Sequence, residues 1–533
     1  MAHIPYLKEQ NGTKVLMVHD APYICLGGEV GNSNSSSVEY MEGVWDKAQE
    51  LAMNTLLMPV TWELFEPVEG HFDYTLVDGL IEQARRRGGK IIFLWFGAWK
   101  NAQCYYAPEW VKTDLKRFRR AEVKKGKNYV INEKFGSIYT TMSYLCEETK
   151  TADARAFRTL MAHIRSIDEE ENTVIAVQVE NETGLMGAAR EHSDEADALF
   201  YGPVPQDFAD YMRSHTDTMT EAMKEAVESG SAAGSWEEVF GAQAEEIFSA
   251  YYVSSYVNAI AAAGKEEYPL PMTANCWLDK GDEAGVFPTG GPVSRVAEVW
   301  QFCAPNIDIM TPDIYVQNFL EICDEYTRRG TPLFIPETAT HSHAAPREVY
   351  CIGHYHAMCY SPFGFEKIGK PFDVMQGYLF GMDTTDPLLQ EPQDPEIYRQ
   401  VTDTLKNMMP LLVEKYGTDD LQAFIAERPE ENTLLFGKYG FRIMVTPPII
   451  SRKDGYCLIL KESEDTFYAM VNQVILSPFS ADPEKKGLDF LVLEDGHFEN
   501  GTWIRNRRLN GDEVAIQNYT EPTVLRIRLF AYE

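Results

Sequence analysis

Three features of the 533-residue chain predict an α/β fold, a (β/α)8 TIM barrel followed by a mainly antiparallel β domain. Short apolar runs alternate with longer helical patterns from about residue 20 to 370. Two of those runs end in glutamate, and strand-like alternation takes over past about residue 400. A parallel strand buried on both faces reads as a nearly continuous apolar run, and successive βα units set such strands side by side.

Eight strands are predicted: Ile24–Val30, Thr55–Val60, Lys90–Gly97, Val174–Glu182, Pro271–Trp277, Ile307–Tyr315, Pro332–Glu337 and Cys359–Phe365. Helical patterns separate them. Val44 to Leu51 carries apolar residues at Val44, Ala48 and Leu51, and Leu76 to Arg87 runs into Gly88-Gly89, a C-terminal stop. Eight such units close into a barrel, expected over residues 1–400. Two intervals exceed what a βα unit needs: 98–150, with a basic loop and a Gly136 turn, and the mostly helical 185–265. Extended βα loops wall the active face of a barrel, so both are expected to shape a pocket, and the polar loop Asn32 to Ser37 falls on the same side. Residues 415–533 read as an accessory β domain, with alternation clearest in Leu525-Arg526-Ile527-Arg528-Leu529 and hairpin signals at Asn500-Gly501 and Asn510-Gly511.

The formal charge of −33 repels phosphate backbones and anionic lipid surfaces, so neither nucleic acid nor membrane is an expected partner. The one basic run, Lys112 to Lys127, reads as a solvated loop pairing with acidic neighbours. Met1 to Glu9 lacks an apolar core of signal-peptide length, and no window reaches the roughly 20 apolar residues of a membrane span. A cytoplasmic protein is expected, with a homo-oligomer left open. The nine cysteines show neither zinc spacing nor a disulfide framework and read as buried thiols.

The chemistry-bearing pattern lies at the strand ends. Val174-Ile175-Ala176-Val177-Gln178-Val179 closes in Glu180-Asn181-Glu182, and Pro332-Leu333-Phe334-Ile335-Pro336 closes in Glu337. The C-terminal ends of barrel strands open onto the active face. Two acids delivered there by different strands suit glycosidic-bond hydrolysis, one protonating the leaving oxygen while the other attacks or stabilises the anomeric carbon.

Three segments carry a family resemblance. Asn54 to Pro67, with Trp62-Glu63-Leu64-Phe65-Glu66-Pro67, continues through Gly70-His71-Phe72-Asp73-Tyr74; Gln178-Val179-Glu180-Asn181-Glu182 ends the fourth strand; Ile335-Pro336-Glu337 ends the seventh. Together they resemble the retaining (β/α)8 glycoside hydrolases, most closely the β-galactosidases of family 35. The C-terminal stretch with Trp503, Arg505 to Arg508 and Leu509 to Glu513 is similar to the accessory domain of a divergent bacterial branch of that group. The chain departs from the family after the third strand, where Trp99-Lys100-Asn101-Ala102-Gln103-Cys104 replaces Ala-Glu-Trp. It departs again ahead of Trp62, where Pro59 stands and the usual tyrosine is missing, and after Glu337, where Thr338 to His343 replaces a Gly- and Trp-rich sequence.

The resemblance implies a retaining exo-β-glycosidase, a β-galactosidase by family, acting on small oligosaccharides or glycosides without metal or organic cofactor. Glu182 would be the acid/base and Glu337 the nucleophile, about 5 to 5.5 Å apart. Asn181 would bind the sugar 2-hydroxyl, and Tyr315 would donate its hydroxyl toward Glu337. Trp62, Trp99 and Trp277 are candidate stacking platforms, while Glu29, Glu66, Lys100, Asn101 and Asn275 are candidate hydroxyl ligands. Strand alternation sends Glu180 to the side of Glu182, as its like-charge neighbour. Because the departures fall on sugar-holding residues, β-glucoside donors and transfer to a sugar acceptor stay open. Two other classes compete: a zinc hydrolase using His341, His343, His354 and His356, though no His-Glu-x-x-His segment exists, and a sugar-binding protein without turnover.

Overall fold

The computed structural model describes residues 4–132, 137–379, 382, 384–385, 391–446, 455–515, 517 and 519–533. Eight parallel strands close a barrel: β1 (Cys25–Glu29), β2 (Thr55–Thr61), β3 (Lys90–Lys100), β4 (Val174–Asn181), β5 (Met272–Trp277), β6 (Ile309–Ile314), β7 (Phe334–Thr338) and β8 (Cys359–Pro362). The ring is sealed where Cys359 and Tyr360 of β8 pair with Cys25 and Leu26 of β1. All eight predicted strands are present, within a few residues of their expected ends.

One buried cluster joins Cys25, Leu57, Ile92, Phe334 and Cys359, residues from opposite sides of the ring that can meet only in its interior. Leu16 and Val18 enter that cluster from an N-terminal meander of Tyr6–Gln10, Thr13–Val18 and Ala21–Tyr23, which plugs the barrel below the strand starts. The sequence reading had no place for this meander. Outside the ring, helices such as Val38–Glu50 and Thr75–Arg87 cover the strands, the latter ending on Gly88 in the left-handed region as expected.

The two long intervals differ in use. In the first, helix Glu109–Thr113 and the strands Val130–Asn132 and Ser137–Tyr139 arch over the strand ends. The predicted Gly136 turn lies outside the described residues. Its basic run is paired as expected, Lys112 with Glu63, Arg117 with Glu69, Arg119 with Glu195 and Lys125 with Asp194. In the second, Asp194–Phe200, Gln206–Ser214, Glu221–Ser229, Trp236–Phe240 and Ala244–Glu267 pack on one another through rings that include Phe208, Trp236, Phe248 and Tyr251. Those rings belong to the same buried cluster as the helices and strands of the barrel, against which the last of these helices packs.

Helix Pro395–Lys415, capped by Asp394, packs on Ala21–Tyr23 and on Gly487–Glu499. Beyond it stand a six-stranded antiparallel sheet and a three-stranded one, whose facing sides share Phe436, Phe441, Phe467, Ile527 and Leu529. Leu525, Ile527 and Leu529 are buried and Arg526 and Arg528 point away, the expected alternation. Asn500 and Gly501, at φ 48° and 79°, make the predicted hairpin turn. Asn510-Gly511 does not; it leads into the helical turn Asp512–Ala515. Among the described residues no helix is long and apolar enough to cross a membrane, and the nine cysteines are free, eight of them buried.

Candidate active site

A cavity of about 350 Å³ opens at the C-terminal ends of the barrel strands. Its wall includes both predicted acids, Glu182 and Glu337, with Asn101 and Gln103 after β3, Trp277 at the end of β5 and Leu278 and Lys280 after it, Asp313 and Tyr315 from the end of β6, and Ser137 and Tyr139 from the first long interval. None of the lining residues comes from 185–265, which corrects the expectation that both intervals shape the pocket.

The geometry is built on a bulge in β3. Between Trp95 and Lys100 the strand advances against only Val179 to Asn181 of β4. Asn101 and Ala102 follow in the left-handed region, φ 54° and 53°, as do Glu180 on β4 and Glu182 just past its end, φ 62° and 44°. Such conformations cost about 1–3 kcal/mol each outside glycine and cluster at functional sites. Here they aim several polar groups at one point. Lys100 Nζ donates to Asn181 Oδ1 at 2.8 Å and lies 3.9 Å from Glu337 Oε1. Asn101 Nδ2 donates to Glu182 Oε2, and the Ala102 amide to the Glu182 carbonyl. Tyr315 donates its hydroxyl to Glu337 Oε2 at 2.7 Å, the contact expected of it.

Asn275 sits one layer beneath the wall. Its Oδ1 accepts from the Glu182 amide at 3.0 Å, and its Nδ2 donates to Asp313 Oδ2 at 2.7 Å. Asp313, the cross-strand partner of Glu337, was not singled out in the sequence. The signal available was an acid inside an apolar run, where acids are depleted. Gln103 and Lys280, loop residues without local pattern, were also missed, as were Ser137 and Tyr139 of the short strand in the first long interval.

Four carboxyls, Glu29, Glu182, Asp313 and Glu337, surround Lys100. Burial alone would lower the lysine's pKa, but the surrounding acids, Glu337 foremost, raise it and keep it charged. Burial chiefly, then the charge of Glu337, pushes Glu182 up to about 7, against the opposing pull of Lys100 and Asp313. Burial and the neighbouring acids push Glu29 and Asp313 well above the carboxylate range. Glu29 Oε1 and Oε2, Asn181 Nδ2, Asp313 Oδ1 and Glu337 Oε1 are buried and make no geometrically sound hydrogen bond among the described residues; of these four residues Asp313 and Glu337 line the cavity.

Four predicted site residues lie elsewhere in role. Trp62 is buried, and its Nε1 donates to Glu66 Oε2 at 2.8 Å; Glu66 Oε1 accepts from the Gly70 amide at 2.7 Å and from Arg155 at 2.6 Å. This pair fastens the 62–74 loop and does not line the cavity. Trp99 is packed edge-on against Tyr256, leaving Trp277 the one predicted platform in the wall. Glu180 is hydrogen-bonded to Asp153 of helix Glu147–Asp168, outside the ring. Its left-handed backbone breaks the alternation that would have sent it toward Glu182, whose acidic neighbour is Glu337. The four histidines form no metal cluster among the described residues: the His341 and His343 rings lie 5.6 Å apart with His343 paired to Glu427 at 3.0 Å, while His354 stacks on Tyr350 and His356 on Tyr416.

A family described as a domain of unknown function, DUF5597, matches residues 398–519, within the C-terminal part. No curated protein matches the chain. Among solved structures the chain is similar to a catalytic mutant of Gan42B, a GH42 β-galactosidase from G. stearothermophilus, at 13% identity and TM-score 0.45, covering 73% of this chain and 57% of that one. It is similar also to the exo-β-1,4-mannosidase Op5Man5 from Opitutaceae bacterium strain TAV5, at 14% identity and TM-score 0.42, covering 74% and 61%. A β-galactosidase from the psychrophilic Marinomonas ef1 matches at 12% identity and TM-score 0.46, covering 74% and 60%. The chain thus spans 57–61% of the length of these three. At such identities the likeness concerns the fold alone, and the barrel assignment rests on its hydrogen-bonded closure.

Proposed function

We propose that the chain is a retaining exo-β-glycosidase, with β-galactosides as its first-choice substrates. The observation that carries the reading is the pairing across one cavity of Glu182, held up to about 7, with Glu337, which takes the Tyr315 hydroxyl and has Lys100 at 3.9 Å. A protonated acid facing a carboxylate supplied with a donor and a cation is the division of labour a double displacement needs. Glu337 attacks the anomeric carbon as Glu182 gives its proton to the departing oxygen. Glu182, now ionised, takes a proton from water, whose oxygen displaces Glu337 and returns both groups to their starting state.

The unpartnered atoms of Glu29, Asn181 and Asp313 are candidates to receive the sugar's hydroxyls, with Trp277 against an apolar ring face. The choice of galactose rests on the family-35 resemblance of the second- and fourth-strand segments. Residues 1–400 would then form the catalytic unit and 415–533 an accessory one.

A panel of nitrophenyl β-glycosides, run on wild type, Glu182→Gln and Glu337→Gln, tests the reading. Glu337→Gln should be inactive on every member. Glu182→Gln should lose turnover on poor leaving groups and keep the glycosylation step on dinitrophenyl substrates. Wild-type rates in both variants would end the proposal, and loss of activity on exhaustive chelation would favour the zinc reading.

A further inference from the structure

Glu180 has no part in the chemistry proposed above, yet it is fully buried and held at φ 62°. Its Oε1 accepts from the Ala98 amide at 3.2 Å and its Oε2 from the Trp99 amide at 2.8 Å, two amides within the β3 bulge. Its other polar contact is a second acid, Asp153. Asp153 Oδ1 accepts from Trp95 Nε1 at 2.8 Å, and its Oδ2 accepts from the Tyr256 hydroxyl at 3.0 Å. Both oxygens of Asp153 are therefore served by donors, and two buried carboxyls in contact cannot both ionise. The proton between them resides on Glu180, which burial and the Asp153 charge keep well above the usual carboxylate range.

Gly97 makes room for the arrangement. A Cβ there would fall 2.5 Å from Trp95 Nε1, 2.6 Å from Glu180 Oε1 and 2.7 Å from Asp153 Oδ1. The glycine thus admits the pair of acids that pins the strand it belongs to.

We infer that Glu180, hydrogen-bonded to Asp153, is a positioning residue for the active site: by holding the Ala98 and Trp99 amides it fixes the bulge from which Lys100 reaches Asn181 and Glu337 and Asn101 reaches Glu182. The geometry stands by itself, whereas its catalytic consequence rests on the glycosidase reading. In a neutral acid the O–H serves Asp153 and the carbonyl accepts from Trp99; a glutamine keeps these two contacts and gives up only the longer one from the Ala98 amide, at 3.2 Å. A leucine fills the space and accepts nothing.

The test compares Glu180→Gln, Glu180→Leu and Gly97→Ala, with circular dichroism to verify folding. Glu180→Gln should keep kcat/KM within about threefold of wild type. Glu180→Leu should lose about 10²-fold, mainly in kcat, the effect of a shift on the order of 1 Å in positioned groups. Gly97→Ala keeps every polar group but crowds the acids and should fall between. A readout independent of turnover is the titration of Glu182, followed in carboxyl ¹³C spectra against Glu182→Gln. Its midpoint should rise above about 7 in Glu180→Leu, because Lys100 favours the ionised form and is displaced, and should hold in Glu180→Gln.

An unmoved midpoint with unchanged kcat in folded Glu180→Leu overturns the inference, as does a Glu180→Gln as damaged as Glu180→Leu. If Glu180→Leu does not fold, an unmoved midpoint in Gly97→Ala overturns it. Wild type inert on all glycosides with the midpoint shifts as expected would sink the glycosidase reading and leave the positioning role standing.

Discussion

Removal of a single hydroxyl, in Tyr315→Phe, separates the two steps of the proposed double displacement. The ring of Tyr315 packs against Ala339 and Phe372, so phenylalanine keeps that packing and deletes the hydroxyl with its 2.7 Å hydrogen bond to Glu337 Oε2. A hydrogen bond to a charged group contributes about 1.5–3 kcal/mol. At 1.36 kcal/mol per factor of ten, that is about 10- to 150-fold in rate. The loss should fall on the second step. While Glu337 attacks, its charge is being spent; while it departs from the sugar, the charge returns, and the Tyr315 hydroxyl is placed to stabilise it. With a dinitrophenyl glycoside, whose first step is fast, kcat should therefore drop by the full factor. KM should drop with it as the glycosyl-enzyme accumulates, and a burst of nitrophenolate should precede the steady state. A kcat unchanged in this variant, or a KM that rises alone, would refute the assignment of Tyr315 as the donor that serves Glu337.

Further outcomes are expected of other residues. Because Glu182 titrates at about 7 and acts as its protonated form, kcat/KM on a poor leaving group should fall above that pH, and the alkaline limb should vanish in Glu182→Gln; a limb surviving that change assigns it to another group. Glu66→Gln should lower the unfolding temperature, by a destabilisation of about 1–3 kcal/mol, while leaving KM unaltered, since the Trp62, Gly70 and Arg155 contacts of Glu66 fasten a loop. Trp277→Ala should cost about tenfold or more in kcat/KM from lost apolar contact with the sugar, with stability little changed, whereas a purely structural tryptophan would show the reverse.

The barrel was legible because strands buried on both faces announce themselves as apolar runs, and a carboxylate closing such a run is conspicuous. That logic located Glu182 and Glu337, and with them Tyr315, Asn101 and Trp277 at neighbouring strand ends. It failed at Trp62 and Glu66, where residues in a strand-end motif satisfy one another: an indole N–H and a buried carboxylate four residues further along make a hydrogen-bonded unit turned away from the cavity. It also failed wherever the relevant contact is not local in sequence. The N-terminal meander that plugs the barrel carries no strong alternation, and Ser137 and Tyr139 reach the cavity only because their interval folds back over it.

Glu180 shows why side-chain direction was the least legible property. Alternation assumes an unbroken pleat, and a left-handed residue at φ 62° reverses it at the point where function sits. The sequence did hold a sign of this, a glycine at position 97 inside an otherwise apolar strand, which marks a bulge or a close approach. The two irregularities explain one another. The bulge of β3 leaves the Ala98 and Trp99 amides in need of acceptors, and the turned backbone of β4 delivers one, so a departure from regular pairing in each strand is satisfied by the other. An active site built this way sets the spacing of its charged groups through backbone hydrogen bonds to a buried neutral acid, a support that holds its length as long as Asp153 keeps the acid's proton in place.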